Sequence, residues 1–166
     1  MAIELLNRLI MFVALWLAQV LILNRIHLFD VATPLLYVFF VITFRRSSPK
    51  WQILLWCFAL GLLIDVFSNT PGLAAGTMTL MAVVQPYLLE LFVPRDSAEN
   101  LASSAATLGV GKFFILCTVM VSLYCLVFYA LETFNFFNWA HWLLRAAGSA
   151  ILTLVLIVAI ESVRSK

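Results

Sequence analysis

The sequence predicts an all-α, polytopic transmembrane bundle of about six helices. Of the 166 residues, 64% are hydrophobic and only 11% are charged, whereas about a quarter of the residues in soluble domains are charged. The apolar residues form long runs that are divided by short polar breaks. Helices satisfy their own backbone hydrogen bonds, which lipid cannot do for them. The chain 1–166 is therefore predicted to be a single integral membrane domain.

Six apolar segments are candidate membrane-spanning helices. A helix rises 1.5 Å per residue, so about 20 residues cross the hydrocarbon core. The second segment is the shortest and reaches only about 21 Å as a helix, which requires a thinned bilayer, burial beside longer helices, or a partly re-entrant path. The predicted spans are 5–23, 31–44, 51–67, 73–93, 112–134 and 142–160.

Prolines and polar breaks separate the first four spans. The basic loop 45–50 contains Pro49, which prevents the second and third spans from forming one helix. The segment 68–72 has Pro71 followed by Gly72, the order that favours a type II turn. This pattern predicts a tight hairpin between the third and fourth spans.

The second half of the chain carries three further markers. Pro86 removes one helix hydrogen bond within the fourth span and predicts a kink. The segment 94–104 is polar and is long enough for a short surface helix. Residues 132–141 separate the last two spans and are rich in Phe and Trp, which is typical of the headgroup region.

The basic residues predict the orientation. With six spans, eight basic residues fall on one side of the membrane and two on the other. Cytoplasmic loops carry the excess of Lys and Arg, so both termini are predicted to be cytoplasmic. The first group is Arg8, Arg45, Arg46, Lys50, Arg95, Lys112, Arg164 and Lys166, and the second is Arg25 and Arg145.

Asp65 is the most costly residue in the sequence, because it lies inside the third span. An unpaired charge at the bilayer centre costs at least about 2.5 kcal/mol, and less near the interface. Arg145 enters from the same side at a similar depth and is a possible charge partner. Alternatively, Asp65 is hydrated, caps the following turn or accepts hydrogen bonds from Ser68 and Asn69, while Arg145 extends towards water.

Polar side chains gather near the outer ends of the spans. Gln19 and Asn69 lie at a depth similar to that of Asp65. This pattern suits an outward-facing cleft or a docking surface, and it also suits a bundle whose outer mouth is simply hydrated. Gln85 lies deeper, beside Pro86, and is predicted to satisfy backbone groups that the kink exposes.

The sequence lacks motifs for membrane enzymes. There is no H-E-x-x-H metalloprotease motif, no G-x-S-x-G serine elbow and no phosphate-binding loop. Cys57, Cys117 and Cys125 lie in apolar runs and are interpreted as small buried hydrophobes. His27 and His141 are interpreted as interfacial residues. We therefore expect no enzyme activity, no catalytic residue, no cofactor and no metal.

The segment 61–72, Gly-Leu-Leu-Ile-Asp-Val-Phe-Ser-Asn-Thr-Pro-Gly, resembles the rod shape-determining protein MreD family. That family has a glycine, an aspartate one turn later, and a Pro-Gly turn between two spans of a small membrane protein. The resemblance covers most of the chain from about Leu5 to Lys112, and the last two spans are similar only in hydropathy. Gly61, Asp65, Pro71 and Gly72 match the family motif.

The resemblance implies a non-enzymatic scaffold of bacterial cell-wall elongation in the cytoplasmic (inner) membrane. It implies binding to MreC, and through MreC an association with MreB filaments, the glycosyltransferase RodA and a class B penicillin-binding transpeptidase. It also implies a fold similar to that of the substrate-binding membrane subunits of energy-coupling factor transporters. A small-molecule-binding subunit of a transporter is the alternative. Either function would use Asp65 with the hairpin that contains Ser68 and Asn69.

Overall fold

A computed structural model describes residues 2–22, 25, 33–98, 105–133, 138–164 and 166. Within these residues the chain is all-helical and has no strand. The helices are α1 (Ala2–Leu21), α2 (Val38–Ile42), α3 (Lys50–Ser68), α4 (Leu73–Phe92), α5 (Ala105–Leu108), α6 (Val110–Thr133) and α7 (Trp139–Arg164).

Five of these helices, α1, α3, α4, α6 and α7, are long and apolar enough to cross a membrane. They correspond to the first, third, fourth, fifth and sixth predicted spans, with bounds that differ by a few residues. This supports a multi-pass membrane protein. The predicted count of six spanning helices is not confirmed.

The predicted second span, 31–44, is the segment that differs. Residues 31 and 32 lie outside the described residues, and the remainder contains only the five-residue helix α2. The segment is buried inside the bundle, where Val38, Val41 and Ile42 have no exposed surface. Of the three paths that its shortness allowed, burial beside longer helices is the one observed.

Side chains of the long helices replace the backbone hydrogen bonds that a full helix would have made. The Gln19 amide donates to Pro34 O (2.9 Å), and its oxygen accepts from Leu36 N (3.1 Å). Thr153 Oγ1 accepts from Leu35 N (3.0 Å). Non-helical backbone is tolerated at membrane depth only where protein or water satisfies it, and these bonds meet that condition.

Gln85 stabilises the other end of the buried segment. Its amide donates to Phe44 O (3.3 Å). The predicted role of Gln85, bonding to backbone groups at the Pro86 kink, is therefore replaced by a contact between helix α4 and a neighbouring segment. The sequence could not show this because the two residues are far apart along the chain.

The buried segment passes through the bundle antiparallel to α1. Its start meets Gln19 near the end of α1, whereas Arg8, near the start of α1, donates to Ser48 Oγ (2.9 Å) and Gln52 Oε1 (3.2 Å). Among the described residues, the bundle thus consists of five long helices and the buried segment, which runs beside them. Ala2 and Arg164 consequently lie at the same end of the bundle.

The two ends of the bundle differ in charge. The basic end is defined by the starts of α1, α3 and α6 and the ends of α4 and α7, and it carries the eight basic residues named above. The opposite end, the turn end, carries Arg25, Arg145 and the turn 69–72. Exposed Trp51 and Trp139 lie at the basic and turn ends respectively, as interfacial tryptophans do. That the basic end is cytoplasmic stays a prediction.

The core lies where the buried segment meets α4 and α6. The hydroxyls of Tyr37 and Tyr124 are hydrogen-bonded to each other, and the rings pack edge to face with centroids 5.5 Å apart. Met78, Met81 and Met120 have no exposed surface. Unbranched methionine side chains fill irregular space, which suits a core formed between long helices and a short irregular segment.

Candidate functional site

The turn between α3 and α4 has the predicted geometry. Helix α3 ends at Ser68, and the C-cap residue Asn69 lies in the left-handed region (φ 57°, ψ 39°). Thr70 O then accepts from Leu73 N (3.3 Å), which closes a four-residue turn with Pro71 and Gly72 at its centre. Gly72 has φ 80° and ψ −7°, the conformation of the third position of a type II turn. Glycine adopts this positive φ without steric cost.

Asp65 caps helix α4 from the preceding helix. Its Oδ1 accepts from Ala74 N (2.8 Å) and from the Thr70 hydroxyl (3.0 Å), and its Oδ2 accepts from Ala75 N (2.9 Å). The first N–H groups of a helix have no partner within it, and Gly72 at the N-cap has no side chain to offer them. The carboxylate satisfies two of these donors and faces the positive end of the helix dipole.

Gly61 brings α3 against the start of α4. A Cβ atom at residue 61 would lie 2.6 Å from Ala75 Cα and 2.7 Å from Ala74 O. Both atoms belong to the backbone of α4, so a side chain at residue 61 cannot be accommodated by a rotamer change. Gly61 and Asp65 are one helical turn apart on the same face of α3. Gly61 thus allows α3 and α4 to pack closely, and Asp65 on α3 bonds to the start of α4.

Asp65 and Arg145 form no ion pair in the structure, although both residues are described. Three donors near the start of α4 surround the Asp65 carboxylate instead. Arg145 is therefore not the charge partner of Asp65. The alternative prediction, that Asp65 caps the following turn, is the one observed. The expected bonds from Ser68 and Asn69 side chains are also not those observed, because Thr70 supplies the side-chain donor.

This arrangement predicts that Asp65→Ala and Arg145→Ala act independently. Changes at residues without a shared partner usually add to within about 0.5 kcal/mol. The measurement is the unfolding free energy of both single variants and the double variant in a mild detergent. A coupling larger than about 1 kcal/mol would restore the ion pair as an explanation.

A cleft opens at the turn end of the bundle. Its volume is about 710 Å³, and it lies among the ends of α1, α3 and α6, the start of α7 and the start of the buried segment. Arg25, Arg145 and Glu132 supply its charged groups, and its lining includes the buried residues Tyr37 and Ile64. A concavity therefore lies at the end of the bundle where the polar residues gather, and its outward orientation stays a prediction.

The six candidate site residues, four from the motif together with Ser68 and Asn69, lie in three environments. Ser68 lines the cleft, whereas Gly61 and Asp65 are buried between α3 and α4. Asn69, Pro71 and Gly72 are exposed on the turn. The structure therefore brings the six residues together in one hairpin, in which two hold the helices, three form an exposed surface and one faces the cleft.

Hydroxyl groups around the cleft were not predicted from the sequence. Tyr129 and Ser149 are joined by a hydrogen bond of 2.7 Å, and Ser149 Oγ accepts from Thr33 N (3.1 Å). Ser149 lies in the run 146–150, Ala-Ala-Gly-Ser-Ala, and such small residues are typical of close packing between membrane helices. In the sequence, Ser149 and Thr153 lie one turn apart in an apolar helix. This spacing was the sequence feature that could have indicated hydrogen bonds from α7 to a neighbouring segment.

Among the described residues, no three His, Cys, Asp or Glu side chains come close enough together to hold a metal ion. No protein-family model, curated protein or solved structure matches the chain. The geometry of the hairpin and the cleft is therefore the basis for a functional proposal, together with the resemblance of the motif.

Proposed function

We propose that this protein is a non-enzymatic membrane scaffold of the bacterial cell-shape and peptidoglycan elongation machinery. In this proposal it lies in the cytoplasmic membrane with both termini in the cytoplasm, and its turn end faces outwards. It binds MreC there and, through MreC, helps to organise MreB, RodA and a class B penicillin-binding transpeptidase. The five long helices, the buried segment and the cleft at the turn end are compatible with the proposed likeness to energy-coupling factor subunits.

The hydrogen bonding of Asp65 is the observation that carries the scaffold proposal. Both carboxylate oxygens bond to groups of the same chain, so the one buried acid of the motif holds the hairpin together. A motif whose residues fix a turn in place supports a role in presenting a surface. A substrate-binding or catalytic acid would instead need an oxygen directed into the cleft.

The exposed turn and the rim of the cleft are the surface that we assign to the partner. Asn69, Pro71 and Gly72 are exposed, and the turn is held by the bonds to Asp65. A rigid surface loses little conformational entropy on binding. Arg145 is half-buried and lies at the cleft, where its charge can determine which partner fits.

The cleft favours a second candidate, a small-molecule-binding subunit of a transporter. A volume of about 710 Å³ is within the usual range of ligand pockets. Its lining combines apolar residues with arginine, glutamate and hydroxyl groups. In this alternative a separate ATPase module supplies the energy, and the cleft captures a solute from outside.

The two candidates are distinguished by what the tagged protein retains when it is purified from its native membrane in mild detergent. The scaffold proposal predicts recovery of MreC together with RodA or its transpeptidase, identified by mass spectrometry. Recovery of a transporter's coupling subunit and ATPases, without MreC, would reject the scaffold in favour of the solute-binding subunit.

Reversing the charge of Arg145 tests whether the rim of the cleft is the surface that binds MreC. Arg145→Glu reverses the charge at the cleft rim. If Arg145 faces an acidic group of MreC, the glutamate repels that group, which costs several kcal/mol. The recovery of MreC is therefore expected to fall at least about tenfold. Arg95→Glu is the matched control, since it reverses an exposed arginine at the basic end. Equal recovery of MreC with both variants would place the binding surface elsewhere.

A further inference from the structure

A second concavity lies at the basic end and is separate from the cleft. Its volume is about 540 Å³, and it lies between the start of α1 and the loop that leads into α3. Its lining includes Arg8, Arg45, Ser48 and Gln52. We name this concavity the basic pocket. The outer cleft and the proposed partner surface use none of these residues.

Arg8 is held in position within the basic pocket. It donates to Ser48 Oγ (2.9 Å) and Gln52 Oε1 (3.2 Å), and its guanidinium lies 5.1 Å from the centroid of the Phe44 ring. These two bonds use two of the five guanidinium N–H groups. The others remain for an acceptor, and a planar guanidinium fixed in this way suits a phosphate group.

Arg45 supplies a second positive charge. Its guanidinium bonds to Glu4 at 2.6 Å, and both side chains are about half exposed (42% and 51%). Exposed ion pairs contribute little to stability, so an arriving anion can compete with Glu4 for Arg45. The charged residues lining the basic pocket are Glu4, Arg8 and Arg45, which leaves a net positive charge.

The basic pocket lies at the level of the lipid headgroups, which favours a lipid phosphate over a soluble anion. Trp51 is 64% exposed at the start of α3, and exposed tryptophans lie at the level of the lipid headgroups. Leu5 lines the pocket and is 54% exposed, and Leu9, one turn further into the membrane, is 46% exposed. A phosphate at the arginines would therefore have its acyl chains beside an apolar helix face.

We propose that the basic pocket binds the phosphodiester headgroup of an anionic phospholipid, with the acyl chains along α1. Basic pockets between helices at the membrane surface are suited to such headgroups. The occupant is a lipid of the surrounding leaflet. The proposal does not depend on the scaffold function, because it concerns the opposite end of the bundle.

Lipid binding is tested with the purified full chain in mild detergent, by titration with phosphatidylglycerol and native mass spectrometry. Wild type is expected to retain phosphatidylglycerol in preference to phosphatidylcholine. The Arg8→Gln/Arg45→Gln double variant is expected to bind phosphatidylglycerol about 30-fold more weakly, on the basis of about fivefold for each basic residue. Arg95→Gln, an exposed arginine outside the pocket, is expected to change it less than about twofold. Equal losses in these variants would overturn the proposal.

Glu4 provides a test in the opposite direction. Glu4→Gln releases Arg45 and removes a negative charge from the pocket, so we expect phosphatidylglycerol to bind about fivefold more tightly. Glu90→Gln is the matched control, because Glu90 is an exposed acid near the end of α4 at the basic end. Unchanged binding in Glu4→Gln, or the same gain in both variants, would overturn the proposal.

Two further measurements use only the wild-type protein, so their outcome does not depend on whether the variants fold. A photoactivatable phosphatidylglycerol analogue in nanodiscs should label peptides that contain residues 2–9 or 45–52, and labelling elsewhere alone would exclude the site. Glycerol phosphate at millimolar concentration should not displace the lipid. Displacement at concentrations comparable to those of the lipid would mean that the pocket binds a soluble anion, and the lipid proposal would be rejected.

Discussion

Asp65→Ala is expected to lower the free energy of unfolding by about 3 kcal/mol. The carboxylate accepts from Ala74 N and Ala75 N at 2.8 and 2.9 Å, and both residues are buried. Leaving a buried donor unsatisfied costs about 1–3 kcal/mol, and the variant leaves two. It also removes a negative charge from the positive end of α4, an interaction that contributes about 0.3–1 kcal/mol at exposed sites and up to about 2 kcal/mol in partly buried ones.

The measurement for Asp65→Ala is thermal or denaturant unfolding in mild detergent, with abundance in the native membrane as a second readout. Glu132→Ala is the control, because Glu132 is an exposed acid at the same end of the bundle. Exposed substitutions usually change stability by less than about 0.5 kcal/mol. If both variants unfold alike and give equal membrane abundance, the structural role of Asp65 is refuted.

Asp65→Asn removes the charge of the side chain and one of its two acceptor oxygens, with little change in its size. The amide keeps one acceptor oxygen, but it directs an NH₂ group towards a backbone donor. We therefore expect the free energy of unfolding of Asp65→Asn to lie between that of wild type and that of Asp65→Ala. A loss as large as that of Asp65→Ala would mean that the charge, or a single oxygen position, accounts for most of the stabilisation.

Long apolar runs were sufficient to predict the five long helices, because hydropathy over about 20 residues depends on local sequence alone. The turn was predictable for the same reason: Pro71 and Gly72 determine backbone angles by themselves. The role of Asp65 was predicted only as one of several alternatives. Choosing among them required knowing that the N–H groups of α4 face α3.

The second span shows where local sequence was insufficient. Its apolar composition is the same whether it faces lipid or the interior of the bundle, so hydropathy cannot distinguish a spanning helix from a buried irregular segment. The decisive residues lie elsewhere in the chain: Gln19 in α1, Gln85 in α4 and Thr153 in α7 bond to the segment's backbone. Polar residues in apolar helices are the sequence sign of such a segment.

Two of these residues, Gln19 and Thr153, connect the fold to the proposed site. The buried segment begins beside the cleft at the turn end, where Leu35 and Tyr37 are among the lining residues. Because a helix satisfies its own backbone, a full second helix would not need Gln19 and Thr153 as partners. The polar side chains therefore allow an irregular backbone to form part of the cleft wall. A ligand or partner in the cleft would contact a segment held by side chains from two other helices.

Gly61→Ala is expected to lower the free energy of unfolding by about 2–3 kcal/mol. Its Cβ would lie 2.6 Å from Ala75 Cα and 2.8 Å from Ala75 N, closer than such atoms approach in proteins. Because these atoms belong to the backbone, α3 and α4 must separate, and overpacking of this kind costs typically 1–3 kcal/mol. The separation also lengthens the bonds from Asp65 to α4, so Gly61→Ala and Asp65→Ala should be less than additive.

Gly76→Ala is the matched control for Gly61→Ala. A Cβ at Gly76 meets no atom within 4 Å, and Gly76 lies inside α4, where alanine is favoured over glycine by up to about 1 kcal/mol. The same substitution should therefore destabilise at residue 61 and leave stability unchanged or improved at residue 76. Unfolding in mild detergent measures both. Equal stability of the two variants would show that α3 and α4 do not meet at Gly61, and the hairpin held by Asp65 would then have to be abandoned as well.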